Sequence, residues 1–150
     1  MATAAKSSFG TYLKLGDGET SESFATIAEV LDIKGSSLEL ETEGVTSHDS
    51  TDGWAEHIGT ILNGGEISFE MNWLPANATQ SFGSGLLKDL VSRTKRNFKL
   101  VVPTALPTQT WTFAALVTAF EPDLPVKGAQ KASITLLLSG KPTLETISPV

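Results

Sequence analysis

The sequence predicts a mainly β protein, an antiparallel β-sandwich or barrel with one flanking α-helix. Three observations carry this. Residues 66–73 alternate strictly, with Ile67, Phe69, Met71 and Trp73 on one face and Glu66, Ser68, Glu70 and Asn72 on the other. That period of two marks a strand with one solvated side. Residues 109–120 and 132–139 alternate in the same way. Apolar residues at helical spacing occur over residues 77–93, so one helix must pack against sheet.

Taken in order, residues 1–23 are rich in Ser, Thr, Gly and Ala, with a turn at Gly16-Asp17-Gly18, and read as an N-terminal arm. A domain over residues 24–142 follows, and residues 143–150 read as a C-terminal tail. Phe24 to Ile33 reads as the first strand, closed by Lys34-Gly35-Ser36-Ser37. Leu38 and Leu40 alternate with Glu39 and Glu41, a second strand with a solvated face. Residues 44–62 break the pattern and read as a long loop, with Asp52-Gly53 as a turn signal. Connections beyond roughly 12–15 residues are usually functional or disordered. Trp54, Ile58, Ile61 and Leu62 give this one side chains that need a surface to bury against.

Gly64-Gly65 introduces the 66–73 strand, and Pro75 stops it. In the helix, Asn77 or Thr79 is the expected cap. Phe82, Leu86, Leu87, Leu90 and Val91 form its apolar face, opposite Lys88, Asp89 and Arg93. Gly83 and Gly85 weaken its first turns by up to about 1 kcal/mol each. Strands over 98–102, 109–120 and 132–139 bring the number to six, with Pro122 and Pro125 framing a loop after the second of these.

At 150 residues the chain is long enough for one domain with a real core. Cysteine is absent, which excludes disulfides and thiolate metal sites and suits assembly in a reducing cytoplasm. No apolar run is long enough to span a membrane, and residues 1–8 lack the pattern of a secretory signal. The net charge of −6 argues against gripping nucleic acid, which takes Lys and Arg. Its distribution is uneven. Residues 21–70 carry eleven acidic residues and one basic residue (Lys34), whereas residues 71–150 carry four acidic and eight basic ones. Such asymmetry serves complementarity within one molecule or between two copies.

No chemistry is organised along the chain. His48, Asp49, Asp52 and His57 are close in sequence, but their spacing matches no metal-binding pattern, and they read as surface polar residues of a loop. Gly83-Ser84-Gly85 falls inside the helical pattern and is no nucleophile elbow. Gly16-Asp17-Gly18 is followed by no Lys-Ser or Lys-Thr, so it cradles no phosphate. Glu39, Glu41, Glu66 and Glu70 sit on the polar faces of strands. The chain is read as non-enzymatic, with no cofactor and no metal. Arg93, Lys95, Arg96 and Lys99 form the one basic cluster. It reads as a capping and solubilising group, as a nucleic-acid patch, or as a surface facing the acidic half of a neighbouring copy.

The ordered set has a resemblance. A Phe24-Ala-Thr-Ile-Ala-Glu-Val-Leu-Asp-Ile strand precedes a long loop containing Val45-Thr-Ser-His-Asp-Ser-Thr-Asp-Gly-Trp. A Gly64-Gly-Glu-Ile-Ser-Phe-Glu-Met-Asn-Trp strand, a helix, and the strands around Trp111-Thr-Phe and Lys131-Ala-Ser-Ile-Thr follow. Over about residues 20–142 this resembles the major tail tube proteins of siphophages, including prophage copies. The resemblance implies a β-sandwich with a flanking helix, hexameric rings, and head-to-tail stacking into a tube in the virion tail. It implies a lumen that houses the tape measure protein and passes phage DNA without specific binding. Tail terminator and distal tail proteins would be the other partners. It also implies that the long loop makes contacts between rings, which singles out Thr46, His48, Asp49, Asp52, Trp54, Ile58, Ile61 and Leu62. The rival readings are a ring-forming tail terminator and a ligand-binding β-sandwich module. Trp73 and Trp111 share faces with apolar residues, which favours core over an exposed binding platform.

Overall fold

Apolar side chains at every second position build one large antiparallel sheet. The computed structural model describes residues 2–5, 7–102 and 108–147. Among them, ten strands form in the order β1 (Tyr12–Gly16), β2 (Phe24–Thr26), β3 (Val30–Lys34), β4 (Glu39–Gly44), β5 (His57–Asn63), β6 (Glu66–Asn72), β7 (Lys95–Val102), β8 (Thr108–Asp123), β9 (Lys131–Leu138) and β10 (Thr143–Ile147). One helix, α1 (Leu86–Ser92), lies between β6 and β7. The main sheet runs β2-β1-β7-β8-β9-β6-β3, with β10 also paired to β8, while β4 and β5 form a separate two-stranded ribbon.

The main sheet rolls up on itself. β2 and β3 are its two edges, yet only Ile27, Ala28 and Glu29 connect them, a span of at most about 14 Å. The Ile27 N–H donates to the Leu13 carbonyl at 2.9 Å, and the Glu29 carbonyl accepts from the Asn72 N–H at 3.0 Å. The connector is therefore bonded to both ends of the strand order. The mainly β sandwich or barrel with one helix at its side, expected from the sequence, is the architecture observed.

Alternation decides which faces are inside. Ile67, Phe69 and Met71 on β6 are buried with Ile134, Leu136 and Leu138 on β9. Phe98 on β7 stacks on Phe113 of β8, with ring centroids 5.8 Å apart. On β8 the alternation slips: a bulge between Val117 and Ala119 turns Ala119 outward and Phe120 inward. Phe120 then meets Trp73 edge-on at 5.7 Å. Trp73 and Trp111 are half-buried against the core, as their sequence faces suggested.

Several expected elements differ in the structure. Within the expected N-terminal arm, Tyr12–Gly16 is β1, paired with β7 and burying Leu13 and Leu15. The run from Phe24 to Ile33 is two strands, broken where Glu29 adopts a left-handed conformation (φ 49). The helix is seven residues, not seventeen: its N-cap is Gly85 rather than Asn77 or Thr79, and turns occupy the stretch before it. Asp89, expected on the solvated face, is buried, whereas Phe82 and Val91, expected on the apolar face, are exposed. Pro122 sits inside β8 rather than in a loop; there β8 pairs with β9 alone, which tolerates a residue without an N–H. Part of the expected C-terminal tail, Thr143–Ile147, is β10.

Candidate functional site

The long loop expected over residues 44–62 is instead largely a hairpin. β4 and β5 pair antiparallel from Glu39↔Asn63 to Gly44↔His57, and every one of their residues is exposed. A register shift between Leu40 and Thr42 adds one residue on β5 and divides the side chains between two faces. One face carries the cross-strand pair Leu40 and Leu62, with Leu40 lying over Gly59. The other carries Glu39, Glu41 and Glu43 beside Ile58 and Ile61. Exposure is 54% at Leu40, 51% at Ile58, 61% at Ile61 and 77% at Leu62.

The tip is held by its own hydrogen bonds. The Val45 N–H donates to the Glu56 carbonyl at 2.9 Å, and the Glu56 N–H donates to the Thr46 hydroxyl at 2.9 Å. Ser50 Oγ accepts from the Ser47 N–H and donates to the Glu56 carboxylate. A single 3₁₀ turn, Thr51–Gly53, reverses the chain, with Asp52 (φ 53) and Gly53 (φ 76) both left-handed. Trp54 leaves this turn 74% exposed.

The candidate residues thus divide by role. Thr46 and Asp52 shape the tip. His48 and Asp49 are exposed polar residues there, and Trp54, Ile58, Ile61 and Leu62 form the apolar surface of the ribbon. No group of three metal-ligating side chains forms among the described residues, and His48, Asp49, Asp52 and His57 do not converge. Sequence reasoning missed Leu38, Leu40 and Val45, which are exposed beside the others; the alternation that placed Leu40 on a strand could not show that the strand leaves the body.

The basic cluster also divides. Arg96 Nε pairs with Asp89 Oδ1 at 3.1 Å, and its Nη1 donates to the Gly16 carbonyl at 2.8 Å. Burial raises the Asp89 pKa, outweighing the attraction of Arg96 and of Lys88 and the Arg96 hydrogen bond. The Lys99 ammonium lies 4.3 Å above the Phe24 ring. These two cations serve the fold, while Arg93 and Lys95 remain exposed.

Three solved structures show the same fold. The chain is similar to the tail of an empty gene transfer agent particle refined in C6 symmetry (19% identity, TM-score 0.74, 94% of this chain and 99% of that one). It is similar to the sheath–tube complex of an extracellular contractile injection system (13%, 0.64, 91% and 88%). It is also similar to the tail tube of SPP1 (12%, 0.61, 93% and 77%). No curated protein sequence matches. Residues 11–145 match the family described as lambda phage tail tube protein, and the chain belongs to that family of structural tail tube subunits.

Proposed function

We propose that copies of this chain form homohexameric rings that stack head to tail, each placing its β4–β5 hairpin on a neighbouring ring. The resulting tube houses a tape measure protein, passes DNA through its lumen without specific binding, and meets terminator and distal tail proteins at its ends. Assembly takes place in the host cytoplasm. The observation that carries the reading is the hairpin itself. A two-stranded ribbon alone is marginal in water, yet this one exposes Leu40 and Leu62 on one face, Ile58 and Ile61 on the other, and Trp54 near its tip. Neighbouring subunits would bury those side chains and cover the outer edges of β4 and β5, which among the described residues pair only with each other. The C6 symmetry of the gene transfer agent tail supports six subunits per ring.

The test is Trp54→Ala with Ile58→Ala, observed by electron microscopy. Three-quarters of a Trp, roughly 150 Å², plus half of an Ile, is worth about 3–4 kcal/mol per contact after the alanine remainder is subtracted. The wild-type chain forms tubes of indefinite length. The variant keeps its circular dichroism and remains unassembled at the same concentration. Unchanged tubes from the variant would show that the hairpin is not the joint, and single rings from the wild type would indicate a terminator.

A further inference from the structure

We infer that the surface receiving the hairpin is the basic face around α1 of a second copy, where Lys88, Arg93 and Lys95 meet the carboxylate row of Glu39, Glu41 and Glu43. This rests on the reading of the hairpin as the joint between rings and names its receptor.

The two surfaces are complementary in charge. Along β4, Glu39, Glu41 and Glu43 occupy alternate positions and so share one face, about 7 Å apart. Ile58 lies directly across from Glu43 on the neighbouring strand. At the other surface, Asp89 is the one acidic residue between positions 71 and 120, and it is buried against Arg96. The exposed charge of that stretch is therefore basic: Lys88 on α1, Arg93 at its C-cap and Lys95 at the start of β7. None of the three forms an ion pair among the described residues. Val91, 59% exposed, lies on the same helix one turn from Lys88, and gives Ile58 and Ile61 an apolar counterpart.

The hairpin base and the start of α1 lie at opposite ends of one strand, whereas the register Lys95↔Leu116, Leu116↔Leu137 and Leu137↔Glu66 sets the start of β7 level with the hairpin base. β6 leaves the hairpin base at Gly64-Gly65 and runs seven residues, about 24 Å, to Asn72. At that far end Gln80, fully buried, fastens the chain. It accepts from the Leu74 N–H at 2.7 Å and donates to the carbonyls of Ala28 at 2.8 Å and Asn72 at 3.1 Å. The Leu86 N–H then donates to the Thr79 carbonyl, so α1 begins beside this anchor. An acidic apolar arm and a basic apolar face are different patches of one subunit, so they make a heterologous contact, which repeats from copy to copy.

A charge exchange in the full chain tests this. Glu39→Lys, Glu41→Lys and Glu43→Lys together, and separately Lys88→Glu, Arg93→Glu and Lys95→Glu, each raise the critical concentration for tubes at least roughly tenfold at low salt. All six replaced sites are exposed, and unchanged circular dichroism verifies folding. The chain carrying all six replacements assembles again, because every contact pairs opposite charges once more. Failure of the six-fold variant to assemble while folded overturns the inference. So does normal assembly of the α1 triple variant. If the latter assembles while Trp54→Ala with Ile58→Ala does not, the hairpin is the joint and its receptor lies elsewhere. If the Trp54 and Ile58 variant also assembles, the hairpin reading itself is wrong.

Discussion

Replacing Arg96 by methionine isolates what holds the one buried charge among the described residues. Asp89 is 2% exposed and Arg96 18%, with 3.1 Å between Oδ1 and Nε. Asp89 Oδ2 is buried without a partner, so Arg96 is the main compensation for that carboxylate. Methionine keeps much of the aliphatic packing of the arginine stem and removes its charge. Breaking a buried pair from one side destabilises by about 3–5 kcal/mol. Arg96 keeps some contact with water, so the lower end, about 3 kcal/mol, is expected at neutral pH.

The pH dependence follows from the direction of the Asp89 shift. Its folded pKa is raised above the unfolded value by burial. Between those two values the folded chain holds a proton that the unfolded chain has released, so stability falls as pH rises through the window. Without Arg96 the folded pKa rises further and the window extends upward. The deficit of Arg96→Met is therefore smallest near pH 4 and largest near pH 8. Urea unfolding followed by circular dichroism across that range measures it. Asp89→Asn, which keeps an acceptor and loses the charge, lacks this component of the slope. A deficit below about 1 kcal/mol at pH 8, or one equal at pH 4 and pH 8, would refute the account.

Two further substitutions separate fold from assembly. Arg93 caps α1 in a left-handed conformation (φ 59), where glycine is favoured, so Arg93→Gly stabilises the monomer by up to about 1 kcal/mol. The same change removes one of three receptor charges, so the melting temperature rises while the critical concentration for tubes rises too, at low salt. Gln80→Ala leaves the Leu74 N–H and the Ala28 and Asn72 carbonyls without this partner in a buried place, and destabilises by roughly 3 kcal/mol in urea unfolding.

The strands legible in the sequence were those whose two faces differ in solvation. β6 and β9 bury one face and largely solvate the other, β8 buries one face and half-buries the other up to its bulge, and their alternation reads directly. β1 was missed because Leu13 and Leu15 are too short a run amid Ser, Thr and Gly to outweigh a terminal composition. β5 was missed for a different reason: exposed on both faces, it has no buried stripe, and Gly59 interrupts it. The helix was overextended because Phe82 and Leu86 keep helical spacing across turns that Gly83 and Gly85 permit. Asp89 was misplaced because its burial depends on Arg96, seven residues away on another element. The candidate residues of the hairpin were legible as apolar side chains lacking a core. Which surface they seek was not legible, since it depends on which cations the folded chain has already engaged.

That dependence bears on how a ribbon so exposed avoids pairing with the wrong partner. Among the described residues nothing pairs with the outer edges of β4 and β5, and free edges beside apolar side chains template aggregation. Two hairpins meeting edge to edge along β4 would bring Glu39, Glu41 and Glu43 against the same row of the other copy, and like charges opposed across strands are unfavourable. The bulge on β5 further disturbs the straight edge that such pairing needs. The same carboxylates are neutralised where cations outside any ion pair lie together. By engaging Arg96 with Asp89 and Lys99 with Phe24, the fold withdraws two of its cations from the surface and leaves Lys88, Arg93 and Lys95 exposed around α1 and the start of β7. On this reading the acidic row works against side-by-side hairpins and for contact with the basic face, and the buried ion pair, structural in itself, sharpens the choice of partner.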